Sequence, residues 1–291
     1  MNAEHTTDNP ENTIAFQGMP GANSDLACRN VFPNMETLPC YSFEDAFAAV
    51  HAGRARLAMI PIDNSVAGRV ADIHHLLPDS GLYIVGEHFQ RIDHHLLAVP
   101  GTKIDDITHI HSHVHALNQC RGLVKKLGVE PVVHADTAGA AQMIAQNGNK
   151  TQGAIASKLA AEIYGLDILQ KNIEDAEHNT TRFLIMSLNP KDTFSGAKNN
   201  LMMTSFVFRV KNIPAALYKA LGGFASNGIN MTKLESYLVG GSFQAAQFYA
   251  EVEGDPTDPA LERALDELKF FTHEIKILGT FPASPERANH T

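Results

Sequence analysis

A few short stretches carry side chains whose type and spacing could do chemistry. His178-Asn-Thr-Thr-Arg-Phe183 brings hydroxyls, an amide and a guanidinium together just before an apolar run, Leu184-Ile-Met186. Read by itself it is a loop entering a strand, with hydroxyls bonding their own backbone. Asn179-Thr-Thr181 is also a glycosylation sequon, which a cytoplasmic protein has no use for. In Ile60-Pro-Ile-Asp-Asn-Ser-Val-Ala-Gly-Arg-Val70, an apolar strand ends at Ile62, and Asn64, Ser65 and Gly68 then open a helix. A helix start directs unpaired N–H groups and a positive dipole end at an anion, which suits a carboxylate. The plain alternative is a capped turn. His109-Ile-His-Ser-His-Val-His115 spaces four imidazoles by two, and on one strand face these would suit zinc. A helix beginning at Ala116 breaks that register, and no Cys or carboxylate completes a set at finger spacing, so no metal is expected. Gly18-Met-Pro-Gly-Ala-Asn-Ser24 is a glycine-bearing loop, and Asp136-Thr137 precede a helix at Ala138 that they are placed to cap.

The elements holding these stretches follow from composition and pattern. The chain has 291 residues, 44% hydrophobic and 19% charged, enough for more than one buried core. Its formal charge of −9 and lack of a long basic run argue against nucleic acid as a partner. No apolar run of about 18 residues exists, so no membrane partner is expected either. The polar N-terminus lacks a signal-peptide layout, so a cytoplasmic protein is expected, with Cys28, Cys40 and Cys120 reduced.

From Thr13 onward, short apolar runs alternate with amphipathic stretches. Expected strands include Asn12–Phe16, Leu57–Ile62, Tyr83–Val85, His95–Val99, Pro131–Val133 and Gly153–Ala156, and helices include Ala116–Leu127 and Ala138–Gln146. This alternation predicts an α/β domain with a mainly parallel sheet. Residues 189–200 are polar, with Pro and Gly, and read as a linker. Beyond it the order is a strand around Phe206, Phe208 and Val210, and a helix behind Pro214 that ends at Asn227-Gly228. A strand over 229–239, a hairpin at Gly240-Gly241 and a strand over 243–252 come next, then a helix opened by Asp258-Pro259 and a strand at Ile275 and Ile277. That β-α-β-β-α-β order is ferredoxin-like.

Asn227-Gly-Ile-Asn-Met-Thr-Lys-Leu-Glu-Ser236, Phe248–Asp255 and Ile213–Leu221 together resemble the ACT domain appended to prephenate dehydratases. That family has Gly where this chain has Ala215, and often continues Glu-Ser with Arg-Pro where Tyr237-Leu238 stand here. Thr181-Arg182-Phe183 matches the family's Thr-Arg-Phe signature, and Pro61-Ile-Asp-Asn-Ser65 its Pro-Ile-Glu-Asn-Ser. Ser112, Gln119 and Cys120 match a third segment, with Val114 and His115 as departures. Gly18–Ser24 is a partial match to the first glycine loop. The likeness runs from about Ile14 to Phe281.

The resemblance implies a two-lobed catalytic domain of the type II periplasmic-binding-protein fold over 13–188. Its second lobe spans roughly 93–173, and a cleft holds the substrate. The linker 189–200 and an ACT regulatory domain over 201–282 follow. It implies decarboxylative dehydration of prephenate to phenylpyruvate without a cofactor. Thr181 would donate to the leaving hydroxyl, and Asn64, Ser65, Gly68, Ser112, Gln119, Thr137, Arg182 and Phe183 would line the substrate. Arg182 has an equal alternative as a packing ion pair. Phenylalanine would act as effector at Pro214, Ala215, Ala216, Leu217, Asn230, Met231, Glu235 and Ser236, in a homodimer or homotetramer. Alternatives are arogenate dehydratase, a non-catalytic two-lobed solute-binding protein, and a pure amino-acid-sensing regulator.

Overall fold

The computed structural model describes residues 9–176, 178–192, 194, 201–238 and 245–289. In chain order the elements are β1 (Thr13–Gln17), α1 (Asn23–Val31), β2 (Glu36–Cys40), α2 (Phe43–His51), β3 (Leu57–Asn64), β4 (Gly68–Arg69), α3 (Ala71–Leu76) and β5 (Tyr83–Arg91). Next come β6 (His95–Ala98), β7 (His109–Ser112), α4 (Val114–Gln119), α5 (Arg121–Leu127), β8 (Glu130–Val133), α6 (Thr137–Asn147), β9 (Gln152–Ala156), α7 (Lys158–Tyr164), β10 (Asp167–Gln170) and β11 (Thr180–Ser187). The chain closes with β12 (Met202–Val210), α8 (Ala216–Ser226), β13 (Met231–Leu238), β14 (Ala245–Glu253), α9 (Pro259–Phe271) and β15 (Thr272–Pro282).

These form two compact units. One takes the described residues up to Val70 with His88–Phe183; the other takes Ala71–Glu87 and the described residues from Leu184 on. Strands β5 and β11 carry the chain from one to the other.

The first unit is α/β, but its sheets are mixed rather than mainly parallel. One has the order β2-β1-β3-β11-β5, with β4 on β3; the other is β10-β6-β9-β7-β8. In the second sheet β7 pairs parallel with β8 and β9, whereas β6 runs antiparallel to β9 and β10. Local alternation cannot show this, because strand direction depends on partners as distant as His95 and Ala156. Leu96, Ile110, Leu117, Cys120 and Ile155 are buried together under the second sheet. Ser42 and Asp45 cap α2 reciprocally. The helix expected over 116–127 is broken at Cys120, whose N–H turns back to Leu117 O.

The second unit holds β12-α8-β13-β14-α9-β15 in the expected order, in a sheet of order β13-β14-β12-β15. Alternation sorts its residues by face. Phe206, Phe208, Phe248, Ala250 and Val252 pack with Phe224 of α8 and with Leu261, Leu265 and Leu268 of α9. Phe206 stacks on Phe224 and Phe208 on Phe248, with centroids 5.8 and 5.2 Å apart. Each such ring contributes about 1.5–3 kcal/mol by leaving water. On the intervening positions, Tyr249 Oη donates to Glu251 Oε1 at 2.5 Å, and Arg287 joins Glu251 and Glu87 at 2.9 and 2.6 Å. The hairpin expected at Gly240-Gly241, strand residues 239, 243 and 244, most of the 189–200 linker and the start of the leader lie outside the described residues.

Candidate active site

The site starts from a turn. Asn64 Oδ1 accepts the backbone N–H groups of Val66 and Ala67 at 3.0 and 2.7 Å. Gly68, at φ +82°, then returns the chain so that Asp63 pairs with Arg69 and Asn64 with Gly68. This β3–β4 hairpin corrects the expectation of a helix opening at Asn64–Gly68. Asx-turn chemistry and helix capping use the same residues, and here the return to β3 prevails. The amide-lined anion site that a helix start would have supplied is therefore absent from this turn.

With Asn64 Oδ1 committed to the turn, its Nδ2 must face outward. It donates to Thr181 Oγ1 at 2.9 Å and to Asn179 Oδ1 at 2.8 Å. Asn179, buried, turns its own Nδ2 to Gln119 Oε1 at 3.1 Å. Gln119 Oε1 also meets His94 Nε2 at 2.8 Å. One connected chain thus runs from Thr181 on β11 through β3 to α4 and to the entry of β6, with Asn64 donating to both neighbours and Gln119 Oε1 accepting from both. Ser65 secures the same region: its Oγ donates to His178 O at 2.5 Å and accepts from Thr180 N at 2.9 Å.

The other expected substrate residues divide. Ser112 is buried and donates to Ile155 O at 2.6 Å, so its hydroxyl joins β7 to β9. Thr137 is half-buried at the start of α6, where Asp136 caps by accepting Gly139 N at 2.5 Å. Arg182 is buried, 3.8 Å from Asp63 and with its guanidinium 5.9 Å from the centre of the Phe89 ring. That position fits its packing role. Phe183 is core. The structure therefore brings Asn64, Ser65, Gln119 and Thr181 together, and sets Ser112, Arg182 and Phe183 into packing. Reading the sequence overlooked Asn179, which stands two residues before the Thr181-Arg-Phe183 signature and was noticed only as part of a sequon set aside, and His94, which no motif marked.

Around the glycine loop, Ser157 Oγ donates to Gly21 O at 2.6 Å and Tyr164 Oη to Pro20 O at 2.8 Å. No group of three or more His, Cys, Asp or Glu able to hold a metal occurs among the described residues. Cys28, Cys40 and Cys120 are free thiols. Burial raises all three, Cys40 to about 11, so they are poor nucleophiles at neutral pH.

The prephenate dehydratase family profile matches residues 14–191. The chain belongs to the prephenate dehydratase family. It is an enzyme, a carbon–oxygen lyase of the hydro-lyase type. A bifunctional N-acyl-homoserine lactone acylase/prephenate dehydratase of Komagataeibacter europaeus is 56% identical over 279 residues, 96% of this chain and 99% of that protein. Arogenate dehydratase/prephenate dehydratase 1 of Arabidopsis thaliana, a chloroplastic protein, is 41% identical over 283 residues, 92% of this chain and 71% of that one. Among solved structures, the prephenate dehydratase of Arthrobacter aurescens in complex with L-Phe aligns with a TM-score of 0.82 at 29% identity, covering 93% of this chain and 90% of that one.

In the second unit, the residues expected to bind an effector fall in two places. Pro214 and Ala215 are exposed ahead of α8, with Ala216 buried and Leu217 half-buried in its first turn. Ala215 has φ +59°, a backbone where glycine is at ease and alanine is strained. Asn230 Nδ2 donates to Glu253 Oε1 at 2.9 Å, and Glu235 lies 3.5 Å from Lys233 on β13, the edge strand that also carries Met231 and Ser236. Among the described residues no helix is long and apolar enough to cross a membrane.

Proposed function

We propose that Thr181 is the catalytic donor in conversion of prephenate to phenylpyruvate, CO2 and water. The bond from the ring to its carboxylate breaks, and its electron pair completes the aromatic ring. The ring C–O bond breaks with its pair on oxygen, which leaves as water after taking a proton. Aromatisation drives both cleavages, so no cofactor is called for. The observation that carries this reading is the Asn64 Nδ2 donation to Thr181 Oγ1. It occupies the oxygen as acceptor and leaves the Thr181 proton to be given outward, where it counts most in the transition state. Ser65 and Gln119 lie in the same network, while Gly68, paired with Asn64 across the hairpin, and Thr137 complete the proposed substrate set.

The catalytic part, proposed as 13–188, is read as a two-lobed periplasmic-binding-protein-like fold, followed by the 189–200 linker and an ACT domain over 201–282. The β-α-β-β-α-β order supports the latter reading. Phenylalanine is its proposed effector, at Pro214–Leu217 and Asn230–Ser236 in a homodimer or larger assembly, supported by the relative bound to L-Phe. A cytoplasmic location fits the three free thiols.

The test is ultraviolet detection of phenylpyruvate from prephenate, with arogenate alongside, for wild type and Thr181→Ala. Loss of the donor is expected to cost about 10²-fold in turnover, with part kept in Thr181→Ser. Wild-type turnover in a folded alanine variant removes Thr181 from the mechanism. A second reading, amide hydrolysis of N-acyl-homoserine lactones, is favoured by the 56% identical relative that carries both names. Release of free homoserine lactone from such an amide tests it, and no release above the buffer rate rejects it.

A further inference from the structure

We infer that His94 is a positioning residue for the dehydration, its Nε2–H fixing the Gln119 amide so that Asn179 and Asn64 stay oriented toward Thr181. This rests on Thr181 being the catalytic donor.

The argument is one of direction. An amide can present oxygen or nitrogen to a neighbour, and in a chain of amides one reversal forces the next. At one end the hairpin settles the matter, since two backbone N–H groups hold Asn64 Oδ1. At the other end stands His94, 2% exposed. Gln119 Oε1 already accepts from Asn179, so the His94 nitrogen 2.8 Å away must carry the proton. His94 is itself fixed: its backbone N–H donates to Glu174 Oε2 at 2.9 Å, and its carbonyl accepts from Ile173 N at 2.9 Å. Its Nδ1 is buried and has no hydrogen-bond partner among the described residues. A proton there would be desolvated and unmet, so the ring stays neutral with its proton on Nε2. Burial acts in the same direction, lowering the pKa against the opposing pull of the Gln119 hydrogen bond, Glu174 and Asp93. Without the His94 donor only the Asn64 end opposes reversal of the Gln119 and Asn179 amides, and the reversed pair becomes accessible. Asn179 would then point a donor at Asn64 Nδ2 and push it off Thr181.

The test compares His94→Leu with His94→Gln. Both side chains have nearly the volume of histidine, but only Gln can return an N–H to the Nε2 position. The expected result is a kcat roughly tenfold lower in the Leu variant, the worth of one buried hydrogen bond, with KM within twofold, and most of kcat kept in the Gln variant. Joined to Gln119→Met, which cuts the chain one link further on, His94→Leu should add little to the loss. Should the Leu variant not fold, His94→Met, unbranched and also without a donor, takes its place in the same comparison. A folded Leu or Met variant with wild-type kcat, equal losses in the apolar and Gln variants, or full additivity with Gln119→Met overturns the inference. Thr181→Ala, run in parallel, separates the two claims. If it loses turnover while His94→Leu does not, only the positioning role fails. If Thr181→Ala keeps turnover, the donor assignment and the positioning role fall together.

Discussion

Asn64 does two jobs with one amide, and the two can be separated. Asn64→Asp keeps an oxygen for Val66 and Ala67, so the turn should survive. It removes both Nδ2 donors and gives Thr181 a carboxylate that would draw the hydroxyl proton inward. We expect kcat to fall by about 10²-fold while the melting temperature stays close to wild type, as steady-state kinetics and thermal melts will show. A parallel loss of stability would mean that the amide serves the fold rather than the chemistry. At this scale the sequence was partly legible. Thr181 stood out because its motif lies just before the linker, and Asn64 because it follows a buried strand. Arg182 shared the motif but points away from Thr181, since alternation along β11 sends adjacent residues to opposite faces, while Phe183, on the face of Thr181, is buried in the core. His94 was illegible: what matters there is burial next to Gln119, a residue 25 positions away.

Among the elements, the glycine loop after β1 shows how close approach restricts sequence. Gly21 has φ +88°, and a methyl group added there would sit 2.8 Å from Ala160 Cα. Both the backbone angle and the space require glycine. Gly21→Ala is therefore expected to lower stability by about 1–3 kcal/mol, read as an earlier midpoint in urea, because backbone on α7 cannot yield as a flexible side chain can. An unchanged midpoint would show that the loop moves freely from α7. Element order was the easier part to read, as periodicity reports strands and helices directly. What failed were the junctions. Asn64 to Gly68 carries the residues of a helix cap and of a tight turn alike, and only pairing with β3 decides between them. Cys120 interrupts a stretch with helical spacing on both sides.

For the molecule as a whole, acid is the expected weakness. His94, His95, His111 and His113 all have pKa values lowered from 6.5, with burial the largest cause in each. The charged groups facing them only partly alter this: Asp93 and Glu174 raise His94 and His95, Asp136 raises His113, and His109, His134, His115 and Lys171 lower their neighbours further. The unfolded chain takes up protons near pH 6.5, and the folded chain only at lower pH. The stabilisation is thus fully present above pH 6.5 and is lost as pH falls through the depressed folded values. Melting temperature should be level from pH 7 to 8 and decline below 6.5, with a shallower decline in His94→Gln. A flat profile down to pH 5 would show that these rings protonate in place.

The ion pairs of Arg287 have a temporal consequence. Glu87 finds this partner 200 positions later in the chain, and both Glu87 and Glu251 are fully buried carboxylates. A ribosome adding 5–20 residues per second needs roughly 10–40 s to cover that distance. Throughout synthesis, Ala71–Glu87 must wait with an acidic side chain that cannot be buried without its cation. The second unit is therefore completed only once Arg287 has been made, and deletion of everything after Asn199 would leave Glu87 without Arg287 rather than free an intact catalytic part.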